Sequence, residues 1–123
     1  MNGSNMHNQK IGRFGENLAC DFLNKRGYKI IEKNCKIGYE EIDIIAKEGD
    51  DLVFVEVKTR ISQYYGDGSE AVAGVKQQRL NMAIQKYLDK YKLWHKEPRC
   101  DLITIFINKN TRSVKIEHFK DIL

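Results

Sequence analysis

The sequence predicts an α/β fold in which helices flank a mixed central sheet, in the order α-β-β-β-α-β-β. Apolar residues at helical spacing mark two segments of the chain, and short runs rich in Ile and Val mark five others. The second helical segment lies between the third and fourth strands. Strands joined through such a crossover helix tend to run parallel, so the sheet is expected to be mixed.

The first helix is predicted over residues 9–26. One face carries apolar side chains at three-to-four-residue spacing: Ile11, Phe14, Leu18 and Phe22. Gly27 follows as a C-cap, and Lys25 and Arg26 lie in the last turn, where the helix dipole favours cations. Residues 1–9, rich in Asn, Ser and Gly, are expected to form a disordered tail, and residues 10–123 a single domain.

The remaining elements follow from hydrophobic pattern and turn residues. Strands are predicted over residues 28–31, 41–46, 52–58, 102–107 and 114–119, a glycine-rich loop over 61–69 and a long helix over 71–92. On this helix we expect Leu80, Ile84, Tyr87, Leu88 and Tyr91 to face the core.

Composition limits the classes of protein to which the chain can belong. It has 123 residues, of which 41% are hydrophobic and 31% charged, as in one ordinary globular domain. No apolar run approaches the roughly 18 residues of a membrane span, and the first residues lack the apolar core of a secretory signal. Three cysteines and three histidines are scattered, which argues against disulfides and zinc and favours a reducing cytoplasm.

The second and third strands are predicted to form a hairpin. Gly49 and Asp50 between them suit a two-residue turn whose first residue has a positive φ. Residues then pair when their numbers sum to 99, so that Ala46 faces Val53. In this register one face is wholly apolar, with Ile42, Ile44, Val53, Val55 and Val57, and the other carries Leu52, Phe54 and Ile45 near the turn.

The far end of this second face is charged. Asp43 would lie opposite Glu56, with their Cβ atoms about 4.5–5.5 Å apart, and Glu41 opposite Lys58. Two carboxylates this close repel each other unless a cation lies between them or one takes up a proton. The pattern suits Mg²⁺ with a phosphate ligand, and Lys58 could orient a water or neutralise developing charge. An ordinary solvated strand face with a Glu41–Lys58 pair remains the alternative.

Positive charge is concentrated in the second half of the chain. Residues 1–60 hold 10 basic and 10 acidic residues, whereas residues 61–123 hold 11 and 7, for a net charge of +4. On the second helix one arc is basic: Lys76, Arg79, Lys86 and Lys90. Such a stripe could hold a nucleic-acid backbone, with Arg60, Tyr64 and Tyr65 as accessory contacts, or be a solvated lysine face.

Several of these segments together resemble a known family. Asp43, followed after twelve residues by Glu56-Val57-Lys58, is similar to the metal-binding signature of PD-(D/E)XK nucleases. Over nearly the whole chain from residue 10, the sequence resembles the YraN-like uncharacterised family, related to archaeal Holliday junction resolvases. The matching segments are Gly12-Arg13-Phe14-Gly15-Glu16 with Ala19, Gly27-Tyr28, residues 41–46 and 54–60, Lys76 with Arg79-Leu80, and Arg99-Cys100-Asp101.

The resemblance implies a restriction-endonuclease-like core and a set of site residues. Asp43 and Glu56 would bind Mg²⁺ or Mn²⁺, Lys58 would assist the attacking water, and Glu16 would complete the acidic cluster. Two residues depart from the expected pattern: Ile42 stands where the superfamily name has proline, and Glu40 where glycine is expected.

Glu16 can also be interpreted from its helix. It lies in line with Gly12, Ala19 and Leu23, and the small residues Gly12, Gly15 and Ala19 would let this edge approach the sheet. Glu16 could then reach the hairpin carboxylates, or it could be a solvated helix residue.

Three functions remain open from the sequence. The leading hypothesis is metal-dependent hydrolysis of phosphodiester bonds in DNA, including branched or junction DNA. The second is a catalytically silent DNA-binding or adaptor protein with a nuclease-like fold, and the third a structural partner in which the acidic cluster is an ordinary salt-bridge network. A homodimer is compatible with the first, since resolving a junction needs two cuts, and Glu41 is an accessory site candidate.

Overall fold

A computed structural model describes residues 3–61, 71–72, 74–75 and 77–123 of the chain. The helices and strands within these ranges follow the predicted order. They are α1 (Gly3–Lys25), β1 (Lys29–Ile37), β2 (Glu40–Glu48), β3 (Asp51–Ile61), α2 (Gln77–Lys90), β4 (Arg99–Asn108) and β5 (Ser113–Phe119). The predicted α/β fold class is confirmed.

The five strands form one mixed sheet in the order β1-β2-β3-β4-β5. Neighbouring strands are antiparallel except β3 and β4, which run parallel from Val53↔Arg99 to Ile61↔Ile107. The connection between these two strands contains α2, as expected for a parallel crossover. β3 therefore lies at the centre of the sheet, between the hairpin partner β2 and the crossover partner β4.

The predicted hairpin register is confirmed. Glu48 pairs with Asp51 and Ala46 with Val53, which leaves Gly49 and Asp50 as a two-residue turn. Gly49 has a φ of +59°, a conformation that costs glycine little.

The core consists of two apolar clusters, one on each face of the sheet. The α1-side cluster includes Ala19, Cys20, Leu23, Tyr28, Ile44, Ala46, Val53, Val55, Ile103 and Ile105. The α2-side cluster includes Cys35, Ile37, Ile42, Ile45, Leu52, Phe54, Leu80, Ala83, Ile84, Tyr87, Leu88 and Cys100. The three cysteines are buried and unpaired, as expected. None of the helices in the described ranges is both long and apolar enough to cross a membrane.

The first helix differs from its prediction at its start and in its buried face. It begins at Gly3 rather than at residue 9, so residues 3–9, expected to be disordered, are helical. Backbone hydrogen bonding can extend a helix beyond its apolar stripe, whose first residue here is Ile11. Phe14 is 48% exposed, because the smaller side chains of Gly15 and Ala19 form the face that lies closest to the sheet.

The second helix was predicted from residue 71; Ala71 and Val72 are helical, but a turn at Gly74 follows and α2 begins at Gln77. Gly74 lies in a turn, where its N–H donates to the Ala71 carbonyl over 3.1 Å, and glycine is a poor helix former. Of the expected core residues Tyr91 is 46% exposed, because it follows the last helical residue, and Ala83 is buried in addition. β1 extends to Ile37, well beyond its predicted end at residue 31.

Candidate active site at the acidic end of the hairpin

The ladder between β2 and β3 ends just before the two acidic residues. Its last backbone pair is Ile44↔Val55, so Asp43 and Glu56 are the first residues beyond the ladder. There the Val57 N–H donates to Asp43 Oδ2 over 2.8 Å, so a side chain occupies a donor that a regular ladder would give to a carbonyl. The Asp43 carboxylate is thereby fixed against β3.

The regular alternation of β2 is interrupted at the same point. Ile42 belongs to the α2-side cluster, whereas Ile44 belongs to the α1-side cluster, although the two residues are two positions apart. The prediction that Ile42 shares a face with Ile44 is therefore wrong. Because side chains two apart share a face in a regular strand, the backbone must deviate around Asp43, the residue whose carboxylate bonds to β3.

Glu56 and Lys58 open onto a groove between the sheet and α2. This α2-side groove has a volume of about 150 Å³. It is lined by Glu40, Glu41, Glu56, Lys58, Val75, Arg79, Leu80 and Ala83. Its polar wall brings together the predicted residues Glu41, Glu56, Lys58 and Arg79, and adds Glu40, which the sequence analysis noted only as a departure from the family pattern.

Burial and mutual repulsion strongly perturb the two central carboxylates. Burial, followed by the charge of Asp43, raises the pKa of Glu56 from 4.5 to about 7. Burial raises the pKa of Asp43 from 3.8 to about 6; the Val57 N–H opposes this and the charge of Glu16 adds to it. Lys58 lowers both pKa values without cancelling the increase. A cation at this position would therefore be favourable.

Glu16 faces a second and larger groove on the other side of β3. This α1-side groove has a volume of about 560 Å³. It is lined by Asn8, Ile11, Gly12, Glu16, Val57, Lys58, Thr59, Arg60 and Ile61. Gly15 makes the close approach possible, since a Cβ at this position would overlap Thr59 Oγ1. Gly15 and Ala19 therefore pack on the sheet as predicted, whereas Gly12 lies open at the groove. Lys58 lines both grooves.

The predicted basic residues do not all lie together. Arg79 lines the α2-side groove, and Lys86 Nζ would lie 3.3 Å from a Cβ built on Gly38, beside the β1–β2 turn. Lys90 Nζ instead lies 5.3 Å from the centre of the Tyr91 ring, and Arg60 lines the α1-side groove. Lys76, Tyr64 and Tyr65 fall outside the described residues.

Within the described part of the chain, no three His, Cys, Asp or Glu side chains group closely enough to hold a metal ion. The acidic residues therefore do not form a complete protein cage. What the hairpin offers is a pair of carboxylates, Asp43 and Glu56, with Glu16 and Glu41 near enough to raise the pKa of both.

A separate charged network involves the start of β4, and the sequence analysis did not predict it. Asp101 is fully buried, and both of its oxygens accept from the Arg99 guanidinium at 3.0 Å. Asp101 Oδ2 also lies 2.8 Å from His118 Nε2, and Oδ1 accepts from the Asp121 N–H at 3.0 Å. Burial opposes ionisation, but the bonds from His118 and Arg99 outweigh it and lower the pKa of Asp101.

Arg99 makes two further hydrogen bonds. Its Nη1 donates to Glu48 Oε1 and its Nη2 to the Tyr28 hydroxyl, each over 2.8 Å. Because the cations and carboxylates are matched, this network is suited to a structural role. The local signals that could have pointed to it were an aspartate within the apolar strand around Leu102 and an arginine two residues before it.

The fold and the hairpin together define a small mixed-sheet α/β protein that carries a pair of carboxylates, Asp43 and Glu56, where β2 meets its central strand. A family model described as uncharacterised protein family UPF0102 matches residues 15–105, and the chain belongs to this family. The resemblance to the YraN-like family is thereby confirmed.

Curated relatives cover nearly the whole chain. A UPF0102 protein of Dictyoglomus thermophilum is 41% identical over 113 residues, which span 92% of this chain and 96% of the relative. One from Caldicellulosiruptor bescii is 43% identical over 122 residues, 94% of this chain and 98% of the relative. One from Clostridium botulinum is 40% identical over 114 residues, 93% of each chain.

Proposed function

We propose that this protein is a divalent-metal-dependent nuclease of the PD-(D/E)XK type that hydrolyses phosphodiester bonds in DNA, including branched or junction DNA, with Mg²⁺ or Mn²⁺. The observation that carries the proposal is the pair Asp43 and Glu56, two half-buried carboxylates whose pKa values are raised. Of the two, Glu56 lines the open α2-side groove together with Lys58. Uncompensated acids of this kind are costly to a fold and are characteristic of functional sites.

The donor set fits the proposed ion. Mg²⁺ takes oxygen ligands and is commonly held by one or two carboxylates, with waters and substrate phosphates completing its coordination. Asp43 and Glu56 supply two carboxylates, so a cage of three or more protein ligands is not needed. When bound, Mg²⁺ supplies positive charge that polarises the phosphoryl group.

The remaining residues have distinct roles in this proposal. The Val57 N–H holds the Asp43 carboxylate in position, which limits its reorganisation during the reaction. The Lys58 ammonium, which reaches both grooves, donates hydrogen bonds to the attacking water or to the developing charge on phosphorus. Glu16 on α1 adds negative charge near the metal site. Arg79 and Lys86 bind the phosphates of the DNA backbone through their positive charges.

A cleavage panel tests the proposal. Labelled linear, flapped and four-way DNA are incubated with Mg²⁺ or Mn²⁺, with EDTA as the metal-free control. We expect Asp43→Asn, Glu56→Gln and Lys58→Met each to lower the cleavage rate by at least about 100-fold. Glu97→Gln, at an exposed carboxylate outside both grooves, is the matched control and should cleave normally.

The outcomes separate the alternatives. Undiminished cleavage by Glu56→Gln would refute the assigned site. Steeply salt-dependent DNA binding with no product under any divalent ion would identify a catalytically silent DNA-binding protein. Titration calorimetry of Mn²⁺ into the wild type and Glu56→Gln, with DNA present, checks metal binding separately. Sedimentation on a four-way junction would test whether two copies bind together.

A further inference from the structure

The turn between β1 and β2 presents an aromatic ring to solvent beside the acidic site. Ile37 pairs with Glu40, so Gly38 and Tyr39 form a two-residue turn. Gly38 has a φ of +61°, while Tyr39 does not have a positive φ, as in a type II′ turn. Tyr39 is 104% exposed, more than any other large hydrophobic residue in the described ranges. Its ring therefore contributes nothing to the core.

The position of this turn relative to the site is fixed by β2. The chain passes from Tyr39 directly into Glu40 and Glu41, which line the α2-side groove with Glu56 and Lys58. Tyr39 precedes Asp43 by four residues, which is about 13 Å along a strand. That distance corresponds to roughly four stacked nucleotides of one DNA strand.

The charges around the turn restrict what Tyr39 can bind. Glu40 and Glu41 follow it and disfavour a phosphate at this point, whereas the face of a nucleobase carries no charge. On the other side, Lys86 Nζ lies close to Gly38 and can meet the backbone of the same nucleotide. A ring flanked by carboxylates and one ammonium is thus suited to stacking on a base and poorly suited to binding the backbone alone.

We infer that Tyr39 stacks on an unpaired base of the DNA substrate. This inference rests on the proposed function and specifies its substrate class: DNA with unpaired nucleotides a few positions from the cleaved phosphate, such as a flap or a gap. Within a duplex both faces of each base are covered by its neighbours, so only an unstacked base can receive the ring. The site should therefore prefer flapped DNA to blunt duplex.

Trp94 offers a matched control. It is 66% exposed, and its Nε1–H donates to Asp89 Oδ1 over 2.8 Å. It follows the C-terminal end of α2, near Lys96, whose Nζ donates to the Asp50 carbonyl in the β2–β3 turn. Trp94 therefore lies at the opposite end of the hairpin from Asp43 and should not contact the same DNA.

Binding measured in EDTA tests the inference without requiring catalysis. Tyr39→Ala should weaken binding of an oligonucleotide with a single-stranded flap by roughly 5- to 100-fold, and leave blunt duplex binding unchanged within about twofold. Tyr39→Phe should retain flap binding, since the ring is kept, and Trp94→Ala should bind as the wild type does. An unchanged flap preference in Tyr39→Ala would overturn the inference.

Fluorescence provides an independent measurement. Trp94 is the only tryptophan of the chain, so Trp94→Phe combined with Tyr39→Trp places a single reporter at the turn. We expect flapped DNA to quench its emission and blunt duplex to leave it unchanged. Equal quenching by both would exclude selective stacking on unpaired bases. If flapped DNA selectively quenches the emission but the wild type does not cleave DNA, the inference stands and the proposed nuclease activity fails. If the wild type cleaves DNA but the quenching is not selective, the nuclease activity stands and the role of Tyr39 in stacking is refuted.

Discussion

Asp101 on β4 and Asp43 on β2 flank the central strand, and each is withdrawn from solvent, but their charges are compensated in opposite ways. Asp101 accepts from the Arg99 guanidinium, from a backbone N–H and from His118, which lower its pKa below 3.8 despite burial. Burial, with the negative charges of Glu16 and Glu41, raises the pKa of Asp43 to about 6. The one hydrogen bond that Asp43 accepts, from the Val57 N–H, opposes this increase.

The Asp101 network stabilises the fold, whereas the Asp43–Glu56 pair lowers its stability. In the Asp101 network each charge has a partner, so ionisation stabilises the folded chain. At Asp43 and Glu56, ionisation of both acids destabilises the folded chain unless a cation is supplied from outside. Burial alone therefore does not point to a site, whereas burial without compensation favours one.

The largest expected effect on stability comes from removing the charge of Asp101. Asp101→Asn should lower the free energy of unfolding by about 3–5 kcal/mol at pH 7, since a neutral amide replaces the buried carboxylate that accepts from Arg99 and His118, and Arg99 keeps only Glu48 as its close acidic partner. The wild-type contribution is full above pH 3.8 and is lost as the pH falls through the lowered pKa of Asp101. Urea denaturation measures it, with Glu97→Gln, at an exposed carboxylate outside the network, as the control. A loss below about 1 kcal/mol would contradict this account of the network.

Removing the charge of Glu56 should instead raise the free energy of unfolding. In EDTA at pH 8, Glu56→Gln should raise the free energy of unfolding by about 2 kcal/mol, because it removes a carboxylate whose pKa is about 7 in the folded chain against 4.5 unfolded. The gain should shrink as the pH falls through 7 and vanish below 4.5, where Glu56 is protonated in both states. Urea denaturation at pH 8 and pH 4 checks the sign. Destabilisation at pH 8 would show that Glu56 is compensated after all.

A smaller effect is expected where α1 meets β3. Gly15→Ala should destabilise the fold by about 1–2 kcal/mol, since the new methyl would overlap the Thr59 hydroxyl and lie 2.9 Å from Thr59 Cβ. Gly12→Ala is the matched control, because a Cβ at Gly12 meets nothing within 4 Å and should stabilise the helix by about 0.5–1 kcal/mol. Thermal denaturation ranks the two variants, and equal stabilities would mean that Gly15 does not set the helix–sheet distance.

The sequence was most informative where structure is decided locally. The register of the β2–β3 hairpin could be predicted because Gly49 and Asp50 restrict the turn and the strands on either side are rich in β-branched residues. The face of Ile42 could not be predicted, because the break in alternation coincides with the bond between the Asp43 side chain and the Val57 N–H, a contact between distant residues. No periodicity encodes such a bond.

Features that depend on distant partners were the hardest to predict. β1 continues through the polar stretch around Asn34, which has a φ of +53°, because its backbone pairs with β2 and not because its own pattern is strand-like. The Asp101 network draws residues from β2, β4 and β5 and from Tyr28, which precedes β1, so no single segment of sequence contains all of its members.

The two-residue turn at Gly49 and Asp50 also affects the protonation of Asp43 and Glu56 during folding. Asp43 and Glu56 lie on the β2–β3 hairpin, whose turn has only two residues. The helices α1 and α2, which cover the two faces of this hairpin, come from more distant parts of the chain. In a nascent ribbon, before the helices dock, the carboxylates of Asp43 and Glu56 are hydrated and ionised at neutral pH. Closure of the core near pH 6 to 7 must therefore draw protons from the buffer, or a cation from the medium, so that folding in metal-free solution is accompanied by proton uptake.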